Sequence, residues 1–456
     1  MKTDHVVLSR VAAVLCMVGL LIGGAVRAGE VAPSTRALLQ DMKPLTDDLA
    51  RYRYLMATMR KVPKDQQLVA MQFLATTESE LGLYARALRD FPIDSRKNYL
   101  EPLPSPQQWR AVDAAPAIAR LAAGRRLVVI NEAHHDPHTR ELTLALLPRL
   151  KAAGFTHFAM EALGDKDTEL ATRGYPLWTS GSEYLHEPLL GEIARRAVQL
   201  GFVLVPYEVD STTTEGRESG QAENLYRRVF AGHPEARLFV HAGYAHIDKL
   251  RGRLGDATPM TAALAKLSGI EPLSIEQTQF REANPLVPHP SYDQLIASFP
   301  ITAPSVLEPI TATGTATPKL WSADPQLHDV SVLLPPDRNS PKDANILPTW
   351  QEQGDLFIPV MPSVDEGLRP DWLGLGGQRQ PYAINSELCD GTYPCVVEAT
   401  YAKESDQAVS ADRFAFLRSG VRSALYLFPG EYRLRARTAD GKVLSQRSIV
   451  IGHAGN

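Results

Sequence analysis

The sequence predicts an α/β fold: a mostly parallel open sheet with helices on both faces, an N-terminal helical segment and a small C-terminal antiparallel β domain. Between residues 123 and 282, short apolar runs alternate with amphipathic helical patterns, which is typical of a parallel sheet covered on both faces. Residues 29–122 repeat apolar side chains at helical spacing. Beyond residue 373, apolar and polar residues alternate as in half-buried strands. The length of 456 residues allows two or three domains.

Five strands and four helices are predicted in the α/β range. Gly154 and Gly269 each stand just before a strand, where a helix that ends in the left-handed conformation is expected. The predicted strands are Leu127–Ile130, His157–Met160, Phe202–Pro206, Arg237–Val240 and Pro272–Ile275, and the predicted helices are Arg140–Ala153, Leu189–Leu200, Glu218–Phe230 and Pro259–Leu267.

The chain begins with the pattern of a cleavable secretory signal peptide. Lys2 and Arg10 precede an apolar run from Val11 to Val26, and Ala28 offers a small residue for cleavage. The run is short for a helix that spans a bilayer. We therefore expect a periplasmic or secreted protein with no membrane span after cleavage.

The cysteine content indicates the compartment of the protein, and the net charge limits the kinds of partner that it can bind. Only Cys389 and Cys395 lie beyond the signal segment, and in an oxidising compartment we expect a disulfide between them, worth roughly 2–3 kcal/mol from loop closure. The formal net charge is −4, and cleavage would remove three basic groups and one acidic group. Such a chain lacks the basic surface that nucleic acid requires, so no nucleic-acid partner is expected.

The composition divides the chain into five parts. In the last of them, Asp440-Gly441 predicts a hairpin turn, and Arg433, Arg435 and Arg437 are expected on the solvated face of a strand. Short strands are also expected at Val330–Leu334 and Leu356–Val360. The parts are a signal peptide (1–28), a helical N-terminal segment (29–122), an α/β catalytic or binding core (123–282), a Pro-rich linker and irregular region (283–372) and a β-sandwich-like domain (373–456).

Ionisable or amide side chains follow every predicted strand of the core. Because the carboxyl ends of parallel strands meet at one edge, where open α/β sheets hold their ligands, we expect these side chains to share a site. One such residue is often only a helix cap, whereas several charges buried together are costly unless they bind something. The residues are Asn131-Glu132, Glu161, Tyr207-Glu208, His241 and Glu276-Gln277.

Glu132 and His134 carry the clearest chemistry at that edge. A carboxylate can orient an imidazole and raise its basicity, which leaves the second ring nitrogen free to accept a proton or bind a metal. Taken alone, such a pair more often belongs to a polar loop without function. Arg217 stands at the start of a helix, where its guanidinium can pair with carboxylates or stabilise an oxyanion. His246 follows Gly243 just beyond the fourth strand.

The order of these motifs resembles the erythromycin-esterase family. That family has Gly-Glu-Ala, a His, a helix, and then Gly-Phe before an apolar strand that ends in Glu. Two positions depart from it: Asn131 stands where the family has Gly, and Gly243 stands where it has a second His. The Gly-x-x-His form is similar instead to the TraB/Tiki/GumN group, and the wider superfamily includes haem- or iron-uptake proteins of the ChaN type. The matching strings are Asn131-Glu-Ala-His134, Gly154-Phe155 leading to Met160-Glu161, Arg217-Glu218, Phe239-Val-His-Ala-Gly-Tyr-Ala-His246 and Pro259-Met260.

The resemblance implies a periplasmic hydrolase that cleaves an ester or amide bond in a small-molecule or peptide substrate. In a metal-free version His134 activates water. In a metal version His134, His246 and Glu161 hold a divalent ion, Zn or Mn, whose water is the nucleophile. The implied catalytic residues are Glu132, His134, Glu161, Arg217 and His246, and we assign Glu208, His241 and Tyr244 at the same edge to substrate binding.

Two other classes of function remain open at this point. The first is a protein that binds haem, iron or a small ligand, as ChaN-type proteins do, with haem as its cofactor and Tyr184, Tyr207 or Tyr244 as iron ligands. The second is a structural envelope protein whose site has decayed.

Overall fold

The computed structural model describes residues 38 and 40–453, with gaps at 94, 100–101, 285–286, 311–318, 340–348, 354–355 and 361–366. The predicted signal peptide, residues 1–28, lies outside the described residues. The principal helices are α1 (Asp48–Thr58), α2 (Lys64–Glu80), α3 (Tyr84–Asp90), α4 (Ala114–Ala122), α5 (His138–Ala152), α6 (Leu170–Arg173), α7 (Pro188–Gln199), α8 (Thr214–Leu225), α9 (Met260–Ser268) and α10 (Pro290–Ser298).

The strands fall into one large sheet and three small ones. In chain order they are β1 (Trp109–Asp113), β2 (Leu127–Glu132), β3 (His157–Met160), β4 (Val203–Val205), β5 (Leu238–Gly243), β6 (Pro272–Phe280), β7 (Ser305–Pro309), β8 (Val330–Leu333), β9 (Thr349–Gln353), β10 (Leu356–Val360), β11 (Gln380–Asn385), β12 (Cys395–Tyr401), β13 (Asp412–Phe416), β14 (Arg422–Leu427), β15 (Gly430–Arg437) and β16 (Val443–Ile451).

The large sheet has eight strands in the order β1-β7-β8-β6-β2-β5-β3-β4. The run from β8 to β4 is parallel throughout, and β7 runs in the opposite direction, so that it pairs antiparallel with β8 on one side and with the edge strand β1 on the other. The predicted fold class is therefore confirmed, together with the N-terminal helices and the C-terminal antiparallel sheet. The five predicted core strands and four helices all form, with ends shifted by a few residues.

Both faces of the large sheet are buried, which explains why β2 is apolar at successive positions. Val128 and Ile130 pack in one core with side chains of α5 and α7. Leu127 and Val129 pack in a second core with side chains of α8 and α9. Successive side chains of a strand point to opposite faces of the sheet. The face on which the last side chain of each strand lies therefore follows from its position in the strand.

The large sheet also takes strands from outside the range predicted for the core. Residues 109–113, within the segment predicted to be helical, form β1 at one edge. Residues 305–309 and 330–333, within the predicted Pro-rich region, form β7 and β8. The strand predicted at Val330–Leu334 is thus a member of the main sheet, whereas that at Leu356–Val360 pairs only with β9.

The two ends of the chain share one hydrophobic core. Side chains of α1 and α2, including Tyr52 and Leu74, pack with side chains of β12, β14 and β15, including Val397 and Leu434. The C-terminal strands form a four-stranded antiparallel sheet, β13-β12-β15-β16, and a β11-β14 pair. The hairpin predicted at Asp440-Gly441 joins β15 to β16.

The arginines of β15 correct one expectation. Arg435 and Arg437 both donate to the buried carboxylate of Glu398 on the neighbouring strand, and Arg437 also pairs with Asp47. They are not on a freely solvated face, because the N-terminal segment and β12 supply acidic partners that the strand pattern alone did not reveal.

The disulfide predicted between Cys389 and Cys395 is present, with 5.9 Å between the Cα atoms. It is consistent with an extracellular location, where disulfides form and persist. In the described part of the chain, no helix combines the length and apolar character needed to cross a membrane.

Asp48 ties three parts of the chain together. Its fully buried carboxylate accepts from His186 Nδ1 at 2.9 Å and from Arg413 Nη2 at 2.6 Å, and it also pairs with Arg51. Both neighbours of the His186 ring, Asp48 and the carbonyl of Trp178, are acceptors. Burial lowers the pKa of His186, but the Asp48 carboxylate outweighs that effect and raises it.

Replacing the Asp48 carboxylate should lower the free energy of unfolding of the protein. We expect Asp48→Asn to lower the free energy of unfolding by about 3–5 kcal/mol, because removing one partner leaves buried charges uncompensated. The free energy of unfolding is measured by urea denaturation, with circular dichroism as the signal. Asp41→Asn, at an exposed position on the same segment, is the control and should change the value by less than about 0.5 kcal/mol. Equal effects in both variants would contradict the role given to Asp48.

Candidate active site

The candidate site lies at the carboxyl edge of the central strands β2, β5 and β3. Glu132 is the last residue of β2, Gly243 is the last residue of β5, and Glu161 follows β3 directly. Glu132 and Gly243 lie side by side in register. This arrangement is the one expected from polar residues at the ends of parallel strands.

The imidazole of His134 is hydrogen-bonded to the carboxylate of Glu132, and Arg140 in turn fixes the position of that carboxylate. His134 Nδ1 lies 2.8 Å from Glu132 Oε1, and Glu132 Oε2 accepts from Arg140 Nε at 2.6 Å. Arg140 also donates to the backbone carbonyl of His134 and to Glu187. Burial raises the pKa of Glu132, but Arg140 and the hydrogen bond to His134 outweigh it and keep the pKa well below its usual value. Glu132 is therefore an ionised acceptor, and His134 donates from Nδ1.

Glu161 anchors a second group on the other face of the sheet. Its Oε1 accepts from Arg217 Nη2 at 2.7 Å and its Oε2 accepts from the backbone N–H of Gly243 at 2.6 Å. Burial raises the pKa of Glu161, but the charges of His246 and Arg217 outweigh it and lower the pKa to about 2. The carboxylate is therefore ionised at neutral pH.

Arg217 organises the rest of that second group. The fully buried guanidinium donates to Glu208 through Nε and Nη2, and its Nη1 lies 3.1 Å from His246 Nε2. His246 Nδ1 lies 2.7 Å from Glu218, whose other oxygen accepts from the N–H of Met260 at the start of α9. Burial lowers the pKa of His246, but the carboxylates of Glu218 and Glu161 outweigh it and raise it.

Gly243 is where the two groups meet. A Cβ placed on this residue would lie 2.5 Å from Cε1 and Nε2 of His134 and 3.1 Å from Oε2 of Glu161. The free nitrogen of His134 and the carboxylate of Glu161 therefore approach the same bare Cα from the two sides of the central strand. Of the five residues predicted as catalytic, Glu132 contacts His134, and Arg217 contacts both Glu161 and His246; Gly243 lies between these two groups.

Asn131 stabilises the turn that follows Gly243. Tyr244 has a positive φ of 43°, which is uncommon for a bulky residue. Asn131 Nδ2 donates to the carbonyl of Tyr244 at 2.9 Å, while Asn131 Oδ1 accepts from the N–H of Gln277 at 2.9 Å. The Gln277 side chain in turn donates to the carbonyl of Asn131. The amide at position 131 thus has a specific use that glycine could not supply.

Aromatic rings enclose His134. The Tyr184 ring stacks on it with 4.3 Å between centroids, and the Tyr244 ring contacts its edge at 5.2 Å. Tyr244 and Tyr184 are half-buried, and His134 is only 7% exposed. Tyr207 is buried and donates to the carbonyl of His241. Of the three tyrosines predicted as iron ligands, two flank His134 and one is committed to the backbone.

The predicted substrate-binding residues fall in different environments. The Glu208 side chain is 25% exposed and accepts from Arg217 and Gln221, so it lines the outer side of the second group. His241 is almost fully buried beneath the site, and its Nε2 has no hydrogen-bond partner in the described structure. Burial lowers the pKa of His241 to about 4, against the pull of the Glu132 carboxylate.

Glu276, predicted at the same edge, belongs instead to a separate cluster. Its Oε2 lies 3.0 Å from Arg253, which also pairs with Asp248. His328 Nε2 lies 2.9 Å from Asp248 Oδ1. This cluster lies beside the Tyr244 turn, since Arg253 also reaches the Tyr244 carbonyl at 3.4 Å. It does not contact His134 or Glu161.

The metal set predicted from His134, His246 and Glu161 does not fit a divalent ion. Both nitrogens of His246 already face Arg217 and Glu218, and both oxygens of Glu161 accept from N–H donors. A buried guanidinium lies where a cation would have to bind. No group of three or more His, Cys, Asp or Glu among the described residues is arranged to hold a metal ion.

Sequence reasoning missed several residues of the site. Arg140 and Glu187 were not recognised, although Arg140 lies eight residues after Glu132 on the first turn of α5. Tyr84 was also missed, and its hydroxyl donates to Glu187 at 2.8 Å from the N-terminal segment. The position of Arg140 at a helix start is a signal that could have been used, whereas nothing in the sequence points to Tyr84.

Comparison of the chain with known protein families, with characterised proteins and with solved structures found no match.

A methyl group at position 243 should disturb the site without straining the backbone. Gly243 has ordinary extended dihedrals that alanine also adopts. The added methyl group would therefore act only through steric overlap with His134 and Glu161. We expect Gly243→Ala to lower the free energy of unfolding by about 1–3 kcal/mol, as overpacking does. Gly232→Ala, where a Cβ meets nothing within 4 Å, is the control for the same urea measurement. An unchanged stability in Gly243→Ala would mean that His134 does not pack there.

His241 should make the protein less stable at mildly acidic pH. Its folded pKa of about 4 lies below the unfolded value of 6.5, so the unfolded chain binds the proton first. Stability is therefore present above pH 6.5 and is lost as the pH falls toward 4, by about 3 kcal/mol from this group. We expect the His241→Gln variant to lose less stability between pH 7 and pH 4, because it lacks the contribution of His241.

The measurement is the free energy of unfolding in urea at pH 7 and at pH 4. The exposed His233→Gln is the control and should follow the unmodified protein. A fall of the same size in His241→Gln and in the unmodified protein would contradict the assignment.

Proposed function

We propose that this chain is a hydrolase that cleaves an ester or amide bond with a water molecule activated by His134. The observation that carries the proposal is the meeting of His134 Nε2 and Glu161 Oε2 at the bare Cα of Gly243. Glu132 holds the opposite ring nitrogen of His134. An imidazole with one nitrogen fixed and the other directed at a shared point is the arrangement that general-base catalysis requires.

The water between His134 and Glu161 would be the nucleophile. It can donate one hydrogen to Nε2 of His134 and the other to the ionised Glu161. As its oxygen bonds to the carbonyl carbon, its proton moves to His134, and the positive imidazole is stabilised by Glu132. When the C–O or C–N bond breaks, His134 returns the proton to the leaving alcohol or amine.

Arg217 and His246 act through Glu161 in this scheme. The N–H groups of Arg217 are committed to Glu161, Glu208 and His246, and the residue is fully buried. It therefore keeps Glu161 ionised and correctly oriented, rather than binding an oxyanion directly. His246 Nε2 also lies 3.7 Å from Glu161, so it packs against the same carboxylate.

The surroundings indicate a small or slender substrate group at the reacting bond. The catalytic groups are only a few per cent exposed, and the half-buried Tyr184 and Tyr244 flank the His134 ring. Glu208, with a side chain that is 25% exposed, offers carboxylate oxygens at the outer side of the site. The periplasm is the proposed location, since the disulfide agrees with the signal pattern at residues 1–28.

His134→Gln should abolish hydrolysis while the fold is retained. We expect turnover of p-nitrophenyl acetate, p-nitrophenyl butyrate or the corresponding anilides to fall by about 10²–10⁴-fold, which is the usual contribution of a general base. Glu132→Gln should cause a smaller loss in the same direction. His233→Gln is the matched control and should keep full activity. Circular dichroism verifies the fold of each variant.

Equal turnover by His134→Gln and the unmodified protein would contradict the proposal. Absence of turnover in the unmodified protein, together with a Soret band after haem is supplied, would favour the haem-binding alternative.

A further inference from the structure

A cavity lies on the other side of the loop that carries His134. Its volume is about 560 Å³, and its walls come from the N-terminal helices, the α/β core and the C-terminal strands. Asp136 and His138 line it, whereas His134, Glu161 and Arg217 do not. The volume is within the range of sites that bind small molecules. This cavity is therefore separate from the site of the proposed hydrolysis.

The walls are largely apolar and include three aromatic rings. Trp372, Tyr292 and Phe414 line the cavity and are each less than a tenth exposed. The Tyr292 hydroxyl is committed to the carbonyl of Leu334, so the ring presents mainly its apolar surface. Aromatic faces of this kind attract organic cations.

Most of the charges in the wall are already compensated by partners. Arg96 directs its guanidinium at the carbonyls of Arg281 and Val287 in the wall. The paired charges are Arg86 with Glu78, Arg89 with Asp90, Arg369 with Asp412 and Asp136 with Arg281.

Glu282 and Asp337 are half-buried acids of the wall, whereas Asp293 is exposed. Glu282 Oε2 accepts from the N–H of Asp337. Asp337 accepts from the N–H groups of Asn339 and Asp371 and also shares a side-chain hydrogen bond with Asp371. Among the described residues, neither carboxylate forms an ion pair with Lys or Arg. Burial raises the pKa of Glu282 to about 7 and also raises that of Asp337. Half-buried carboxylates without a cation are energetically costly and favour a positively charged ligand.

We propose that this cavity binds an organic ammonium ion with an apolar body, with the carboxylates of Glu282 and Asp337 receiving the ammonium group and Trp372, Tyr292 and Phe414 enclosing the body. The proposal does not depend on the hydrolase activity.

Three probes with one carbon skeleton and different charge test the proposal. Isothermal titration calorimetry compares 4-phenylbutylamine, 4-phenylbutan-1-ol and 4-phenylbutyrate. At pH 8, above the pKa of about 7, Glu282 is largely ionised beside Asp136, His138 and Asp337. We expect the amine to bind at one site at least about tenfold more tightly than the alcohol, and the carboxylate to bind more weakly still. Absence of amine binding, or binding of the carboxylate as tight as that of the amine, would overturn the proposal.

Variants locate the binding. We expect Glu282→Gln to weaken binding of the amine by about tenfold or more and to leave the alcohol unchanged, with Asp337→Asn giving a smaller loss. Asp256→Asn, an exposed acid that does not line the cavity, is the control. Unfolding temperatures verify that each variant is folded, and Asp337→Asn decides if Glu282→Gln does not fold. Unchanged affinity for the amine in the folded variants would place the amine elsewhere and refute the assignment.

Discussion

The missing side chain at Gly243 is the constraint on which the site depends. β5 is the central strand between β2 and β3, so any side chain at its last position would stand between groups arriving from its two neighbours. With only a hydrogen atom there, the ring of His134 and the carboxylate of Glu161 reach the same point. Glycine is needed for its small size and not for an unusual backbone conformation, since its dihedrals are those of an ordinary strand. The same residue also donates its N–H to Glu161.

Two buried arginines make this meeting rigid. Arg140 supports Glu132 from α5 on one face of the sheet, and Arg217 supports Glu161 from α8 on the other. Burying such charges gains little net stability, because the cost of removing them from water offsets their attraction. Their benefit is in orientation: each arginine has several donors in a fixed plane and directs them at different acceptors. The carboxylates of Glu132 and Glu161 thus stay ionised, and their oxygen atoms have fixed positions at the edge of the sheet.

The flanking segments enclose the site instead of forming independent units. Tyr84 and Phe91 of the N-terminal segment contact Glu187 and His135, and Trp372 stacks on His138 with 4.9 Å between centroids. The same segments and the C-terminal strands form the walls of the cavity lined by Glu282 and Trp372. The loop between β2 and α5 therefore has one side that faces the candidate site and one side that lines this cavity. The packing that holds His134 is continuous with the packing that shapes the neighbouring pocket.

The sequence by itself determined the class of the fold and the edge of the sheet at which the candidate site lies. Alternating apolar strands and amphipathic helices can bury their faces only as a covered parallel sheet, and the residues after such strands must share one edge. For that reason Glu132 and Glu161 could be grouped from their places directly after the strands. Hydrophobic pattern also located the hairpin at Asp440-Gly441, because that signal is local.

Only the tertiary structure decided which partners these residues have. The pairing of Arg217 with His246, the support of Glu132 by Arg140, the burial of Arg437 and the entry of β1 and β7 into the sheet all join residues that are distant in the chain or carry no periodic signal. Contacts of this kind depend on where whole elements pack. Local pattern specifies which face of an element is apolar, but it does not specify which charged side chain from another element will meet it.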